Sequence, residues 1–112
     1  MSKPKRVNNS DSSYFVERLV EFDGSNMYSR YTNHDETVYV VFSYGRHFPM
    51  WIYDHNTNQW FGNKDKFSRT TSKQQSQSRP DRIDLWFDTD MMKRIADHGY
   101  NKAVAFRMGV EA

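Results

Sequence analysis

The residues best equipped for chemistry lie between Asn63 and Arg82, in the run NKDKFSRTTSKQQSQSRPDR. Hydroxyls and amides alternate there with Lys64, Lys66, Arg69, Lys73, Arg79 and Arg82, and only Asp65 and Asp81 oppose those six cations. Cationic donors among hydroxyls suit phosphate oxygens, because charge-assisted hydrogen bonds to phosphate are short and strong. The same composition also describes a solvated linker. Phe67 is the only large apolar side chain in the run, so it builds no core of its own.

Within this run the group Thr70-Thr71-Ser72 has two readings. In the first, a hydroxyl caps a short helix that starts near Ser72 and is stopped by Pro80. In the second, the unpaired N–H groups at that helix start act with the hydroxyls and with Arg69 or Lys73 to hold a phosphate. Nucleic-acid binding needs a second ingredient, aromatic rings on which bases stack. Tyr44, Trp60 and Phe67 are candidates, although for Trp60 and Phe67 a place as core or rim anchors is the preferred reading, because aromatics dominate small cores. Trp86 stands apart, because alternation sets it opposite Ile83, Leu85 and Phe87 and therefore over a second layer or at an interface.

Catalysis finds less support. The four histidines (His34, His47, His55 and His98) fall in turns or at a helix end, and no pair has the spacing of a metal site. His47 alone could meet Ser68, Ser72 or Gln74 across the sheet end, and it has no neighbouring carboxylate to orient it. The chain has no cysteine, hence no thiol nucleophile, thiolate zinc site or disulfide. Phosphate-loop, nucleophile-elbow and deaminase signatures are absent from the sequence. The expectation is a non-enzymatic protein without cofactor or metal.

The elements that position these groups follow from patterning. A chain of 112 residues is one domain's worth, and eight Phe, seven Tyr and three Trp let a small domain bury much area. Residues 1–13 read as a mobile basic tail, and 14–112 as a single α+β domain. Tyr14 to Phe22 fits a helix with Phe15, Leu19 and Phe22 on one stripe, or a strand; helix is preferred. Asp23 to Glu36 reads as a polar connection. TVYVVFSY from Thr37 is apolar on both alternating sets, as for a central strand, and MWIY and then QWF continue it into a three-stranded antiparallel meander. Ile83, Leu85 and Phe87 mark a half-buried strand. Asp88 or Thr89 caps a helix to about His98, with Met91, Met92, Ile95 and Ala96 inward and Gly99 ending it. Lys102 to Met108 alternates and reads as a last strand. The expected fold is α+β, a mainly antiparallel sheet of about five strands with one or two packed helices.

The spacing of Ser43-Tyr44-Gly45, His47 and Pro49, followed by Phe67-Ser68-x-Thr70-Thr71-Ser72-x-Gln74-x-Ser76, resembles a family of small phage and mobile-element proteins of unassigned function. The family pattern is Ser-Tyr-Gly, then Tyr-Ser-x-Thr-Thr-Ser-x-His-x-Ser, and the match spans roughly Val38 to Pro80. Phe67 replaces its Tyr and Gln74 its His. Gln cannot take a proton at neutral pH, so the departure fits binding or structure better than proton transfer. The resemblance implies a viral or plasmid accessory protein acting in a host cell.

Two function classes follow from these residues. One is an accessory domain that binds nucleic acid or phosphate groups through Lys64 to Arg82. The other is an inhibitor or adaptor that grips a host protein, of the transcription or defence machinery, through exposed aromatics. No apolar run approaches the length of about 18 residues that a membrane span requires, and a cytoplasmic setting is expected.

Overall fold

A computed structural model describes residues 4–45, 48–65 and 69–107. Seven strands form one mixed sheet in sequential order: β1 (Lys5–Arg6), β2 (Phe22–Asp23), β3 (Met27–Tyr31), β4 (Val38–Ser43), β5 (Pro49–Asp54), β6 (Gln59–Asn63) and β7 (Leu85–Phe87). The helices are α1 (Ser12–Glu17), α2 (Arg69–Ser78), α3 (Thr89–His98) and α4 (Tyr100–Arg107). The sheet from β2 to β6 is antiparallel, whereas β1 pairs with β2 and β6 with β7 in parallel.

Each parallel pair is joined through a helix, α1 in the first case and α2 in the second. Both crossovers step the same way across the sheet from strands that point the same way. A shared right-handed sense therefore puts both helices on one face, and α1 does contact α2. The other face carries α3 and α4. β4 at the centre is buried along its whole length because both faces are covered. Val38, Val40 and Phe42 join Ile52, Phe61, Met91, Met92 and Ile95 under α3, while Tyr39 and Val41 join Val16, Phe22, Trp51 and Trp60 under α1 and α2.

A bulge sets the start of β5. Val41 pairs with Trp51 but Phe42 pairs with Pro49, which leaves Met50 as the extra residue. Strict alternation would seat Met50 beside Ile52; the bulge turns it instead to the Trp51 face.

The meander, the α3 stripe and its ends follow the sequence expectation. Asp88 accepts a hydrogen bond from the Met91 amide, and Gly99 at φ +86° ends the helix. Five expectations change. The sheet is mixed and has seven strands, and four helices accompany it. The stretch read as a polar connection holds β3, hidden because its central inward position is Ser29, whose hydroxyl accepts from the Phe22 amide and the Tyr39 hydroxyl. Of the Tyr14 to Phe22 segment only the first part is helical; Phe22 opens β2. Of Lys102 to Met108, expected as strand, the described part, 102–107, belongs to α4, and Met108 lies outside the described residues. Ala103, Val104 and Ala105 are all apolar, so both periods fit. Helix is chosen because Tyr100, Ala103 and Val104 pack on the core at helical spacing and the buried Asp54 carboxylate accepts the Tyr100 amide at 2.8 Å. The chain read as a tail carries β1 and a 3-10 turn at Asn9–Asp11.

Candidate nucleic-acid interface

The hydroxyl- and amide-rich run becomes α2, and its inward face is polar. Gln74, Gln75 and Ser78 occupy one stripe of the helix and all three are buried. The helix lies over strand ends and turns, where backbone carbonyls lack ladder partners and need donors. Gln74 is only 1% exposed; it accepts the Ser43 hydroxyl and donates from Nε2 to the Asn26 carbonyl at 2.7 Å. Gln75 donates to the Asn63 carbonyl, and Ser78 takes the Trp51 indole N–H at 3.0 Å while its hydroxyl donates to the Gln74 carbonyl. The helix therefore docks by hydrogen bonds where most helices dock by an apolar stripe.

Along one flank of α2 runs an open cleft of about 370 Å³, lined by Trp51, Asn63, Lys64, Ser72, Gln75, Ser76, Arg79 and Trp86. Its floor is built by a close approach. A Cβ on Gly62 would stand 2.7 Å from the Trp86 ring and 2.9 Å from the Trp51 ring, so only glycine lets both indoles lie over β6. The two rings meet edge to face at 5.7 Å, with Trp51 buried and Trp86 still 44% exposed. The Arg79 guanidinium stands 5.5 Å from the Trp86 ring centre, in cation–π range.

The turn that carries Lys64 is clamped to the start of α3. The Asp65 carboxylate accepts both the amide and the hydroxyl of Thr89 at 2.8 Å. Those bonds, the backbone one first, hold the Asp65 carboxyl below the usual carboxylate range. Asn63 ties the same turn inward, donating to the Pro49 carbonyl at 2.9 Å and accepting the Asp65 amide.

Of the residues singled out in the sequence, Lys64, Ser72, Arg79 and Trp86 come together in this cleft. Lys73 lies on the opposite flank of α2, in a groove with Asn9, Ser25, Asn26 and Gln77. Arg82 is engaged with Asp84 at 3.0 Å and with the Asn58 carbonyl at 2.8 Å, away from the cleft. Trp60 packs against Tyr39 and Tyr53 and is buried, which makes it a core ring and not a stacking surface. Tyr44 is exposed, Gly45 half-buried, and Ser43 buried against Gln74. Arg69, Thr70 and Thr71 form the first turn of α2, but their side chains, with Lys66, Phe67 and His47 entirely, lie outside the described residues. Sequence reasoning missed Gly62, Asn63, Gln75 and Trp51. The recurrence of Gln74, Gln75 and Ser78 at helical spacing was the available signal for the first-named helix face; nothing local marked Gly62.

Among the described residues, no three His, Asp or Glu side chains gather in a way that could hold a metal ion, and no helix is long and apolar enough to cross a membrane. Comparison of the chain with protein-family models, curated proteins and solved structures gave no match.

Proposed function

We propose that the protein is a small non-catalytic accessory module, of the kind phages and mobile elements carry, that binds nucleic acid or other phosphate-bearing ligands in the cleft between α2 and β7. The observation that carries this reading is the half-exposed Trp86 indole with Lys64 and Arg79 on the same cleft. A ring face offers stacking to any base, and adjacent cations offer phosphate contacts. The hydroxyls of Ser72 and Ser76 add neutral hydrogen-bonding groups around them.

Titration with single-stranded DNA, duplex DNA and RNA at two salt concentrations tests it. Lys64→Glu and Arg79→Glu are expected to weaken binding to all sequences alike, and each lost phosphate contact to reduce the salt slope by about 0.7 for a single strand. Trp86→Ala is expected to weaken binding without changing that slope. A second reading, a protein-directed inhibitor or adaptor, is favoured by the Arg79–Trp86 pair, since Trp and Arg are the residue types that most often anchor protein interfaces. Absence of any nucleic-acid binding at low salt would refute the first reading in favour of the second.

A further inference from the structure

We infer that Tyr44 is a second contact point for the same ligand, in a groove that adjoins the Lys73 flank of α2 at Ser25 and Asn26, and that the ligand is single-stranded nucleic acid laid across that helix. The inference rests on the reading of the Trp86 cleft as a binding site.

Tyr44 has φ +61°, the left-handed region that bulky L residues enter only at a cost. Its ring returns little of that cost through burial, because the residue is 59% exposed. The conformation is imposed from both sides: the preceding Ser43 hydroxyl is held by Gln74, and the Tyr44 amide donates to the Asn26 carbonyl at 2.8 Å. The buried network under α2 thus presents a strained, bare ring to solvent. Tyr14 offers a contrast, since its comparably exposed ring is covered by the Arg18 guanidinium at 3.6 Å.

The surroundings indicate what such a ring meets. Tyr44 shares a groove with Arg6, Ser25, Asn26 and Arg30, and the one carboxylate among its described lining residues, Asp23, is neutralised by Arg30 at 2.7 Å. At Ser25 and Asn26 this groove meets the one that holds Lys73, which no carboxylate lines among the described residues. Arg6 and Lys73 are both exposed, so this flank is cationic as the Trp86 flank is. α2 is the ridge between them, with Ser72, Gln75, Ser76 and Arg79 on one flank and Lys73, Gln74 and Gln77 on the other. Two separated rings with cations between them match a flexible strand whose unpaired bases splay out to stack while phosphates follow Lys73 and Arg79. A duplex keeps its bases in its own stack and cannot use both rings.

The test is anisotropy titration of an oligothymidylate of about 12 nucleotides, a length within the usual range of single-strand site sizes. Asn tolerates the left-handed region, so Tyr44→Asn is expected to melt no lower than the wild type. It is expected to bind about 5- to 150-fold more weakly, the worth of one stacked base, while Tyr44→Phe binds as the wild type does. Should Tyr44→Asn melt lower, Tyr44→Gly replaces it under the same criteria. Wild-type affinity in a folded Tyr44→Asn protein, with Trp86→Ala weakened, overturns the Tyr44 inference and leaves the cleft reading standing. Unchanged affinity in both variants, or no binding by the wild type, overturns both.

Discussion

Gly62→Ala puts the architecture of the cleft to the sharpest test. The new methyl group would lie 2.7 Å from two atoms of the Trp86 ring and 2.9 Å from one of Trp51, distances that real Cβ contacts do not show, so a ring must move. Trp51 is buried and its N–H is held by Ser78, whereas Trp86 sits on a three-residue edge strand and is partly exposed. Trp86 therefore gives way. Overpacking of this kind costs about 1–3 kcal/mol. Replacing glycine where φ is not positive recovers about 0.4–1 kcal/mol through the unfolded chain. The two ranges leave a net loss of up to about 2.6 kcal/mol, centred at about 1.3 kcal/mol, or roughly 5 °C in Tm for a domain of this size. Thermal unfolding by circular dichroism gives the first number. The near-ultraviolet spectrum gives the second, because the Trp51–Trp86 edge-to-face pair at 5.7 Å is lost when Trp86 swings out. A Gly62→Ala protein with unchanged Tm and an unchanged near-ultraviolet spectrum would refute the placement of both indoles over β6, and with it the cleft floor.

Other outcomes follow from the same geometry. Gln74→Ala should cost about 3–5 kcal/mol, since it leaves the Ser43 hydroxyl and one bond of the Asn26 carbonyl unmet in a buried site and opens a cavity; urea titration reads this, and a loss below 1 kcal/mol would contradict it. Asp88→Ala should cost about 1 kcal/mol by removing the side-chain cap on the Met91 amide, with m unchanged in the same titration. The Asp65 carboxyl has a lowered pKa in the folded state, so its contribution is full above the ordinary carboxylate value and disappears as pH falls through the folded one. Asp65→Asn should therefore flatten the acid limb of stability against pH, and an identical acid limb in the two proteins would show that Thr89 does not hold this carboxylate.

What was legible in the sequence was whatever a local pattern could state without competition. Val38 to Phe42 is β-branched and aromatic on both alternating sets, the pattern of a strand covered on both faces, and β4 is buried throughout. Asp88, the Met91–Ile95 stripe and Gly99 each mark a helix by a mechanism confined to a few neighbouring residues. Cations and hydroxyls in the Asn63 to Arg82 run pointed to the part of the chain where the candidate cleft lies, because a segment with so little apolar surface must spend its side chains on hydrogen bonds.

The tertiary structure decided the rest. Residues 100–107 satisfy both periods, and the choice of helix comes from Asp54, 46 positions away, accepting the Tyr100 amide. β3 carries a serine at its central inward position, and that polar residue is paired only because Tyr39 and Phe22 arrive from other strands. Of the six cations that look like one patch, the four whose side chains are described go to separate surfaces: Lys64 and Arg79 to the Trp86 cleft, Lys73 across the helix, Arg82 to Asp84. A helix turn of 3.6 residues, laid on a twisted sheet, sends successive side chains in directions that spacing alone does not fix. The demand of buried carbonyls at Asn26 and Asn63 for donors then chooses which polar residues of α2 face inward, and so which are left to meet a ligand.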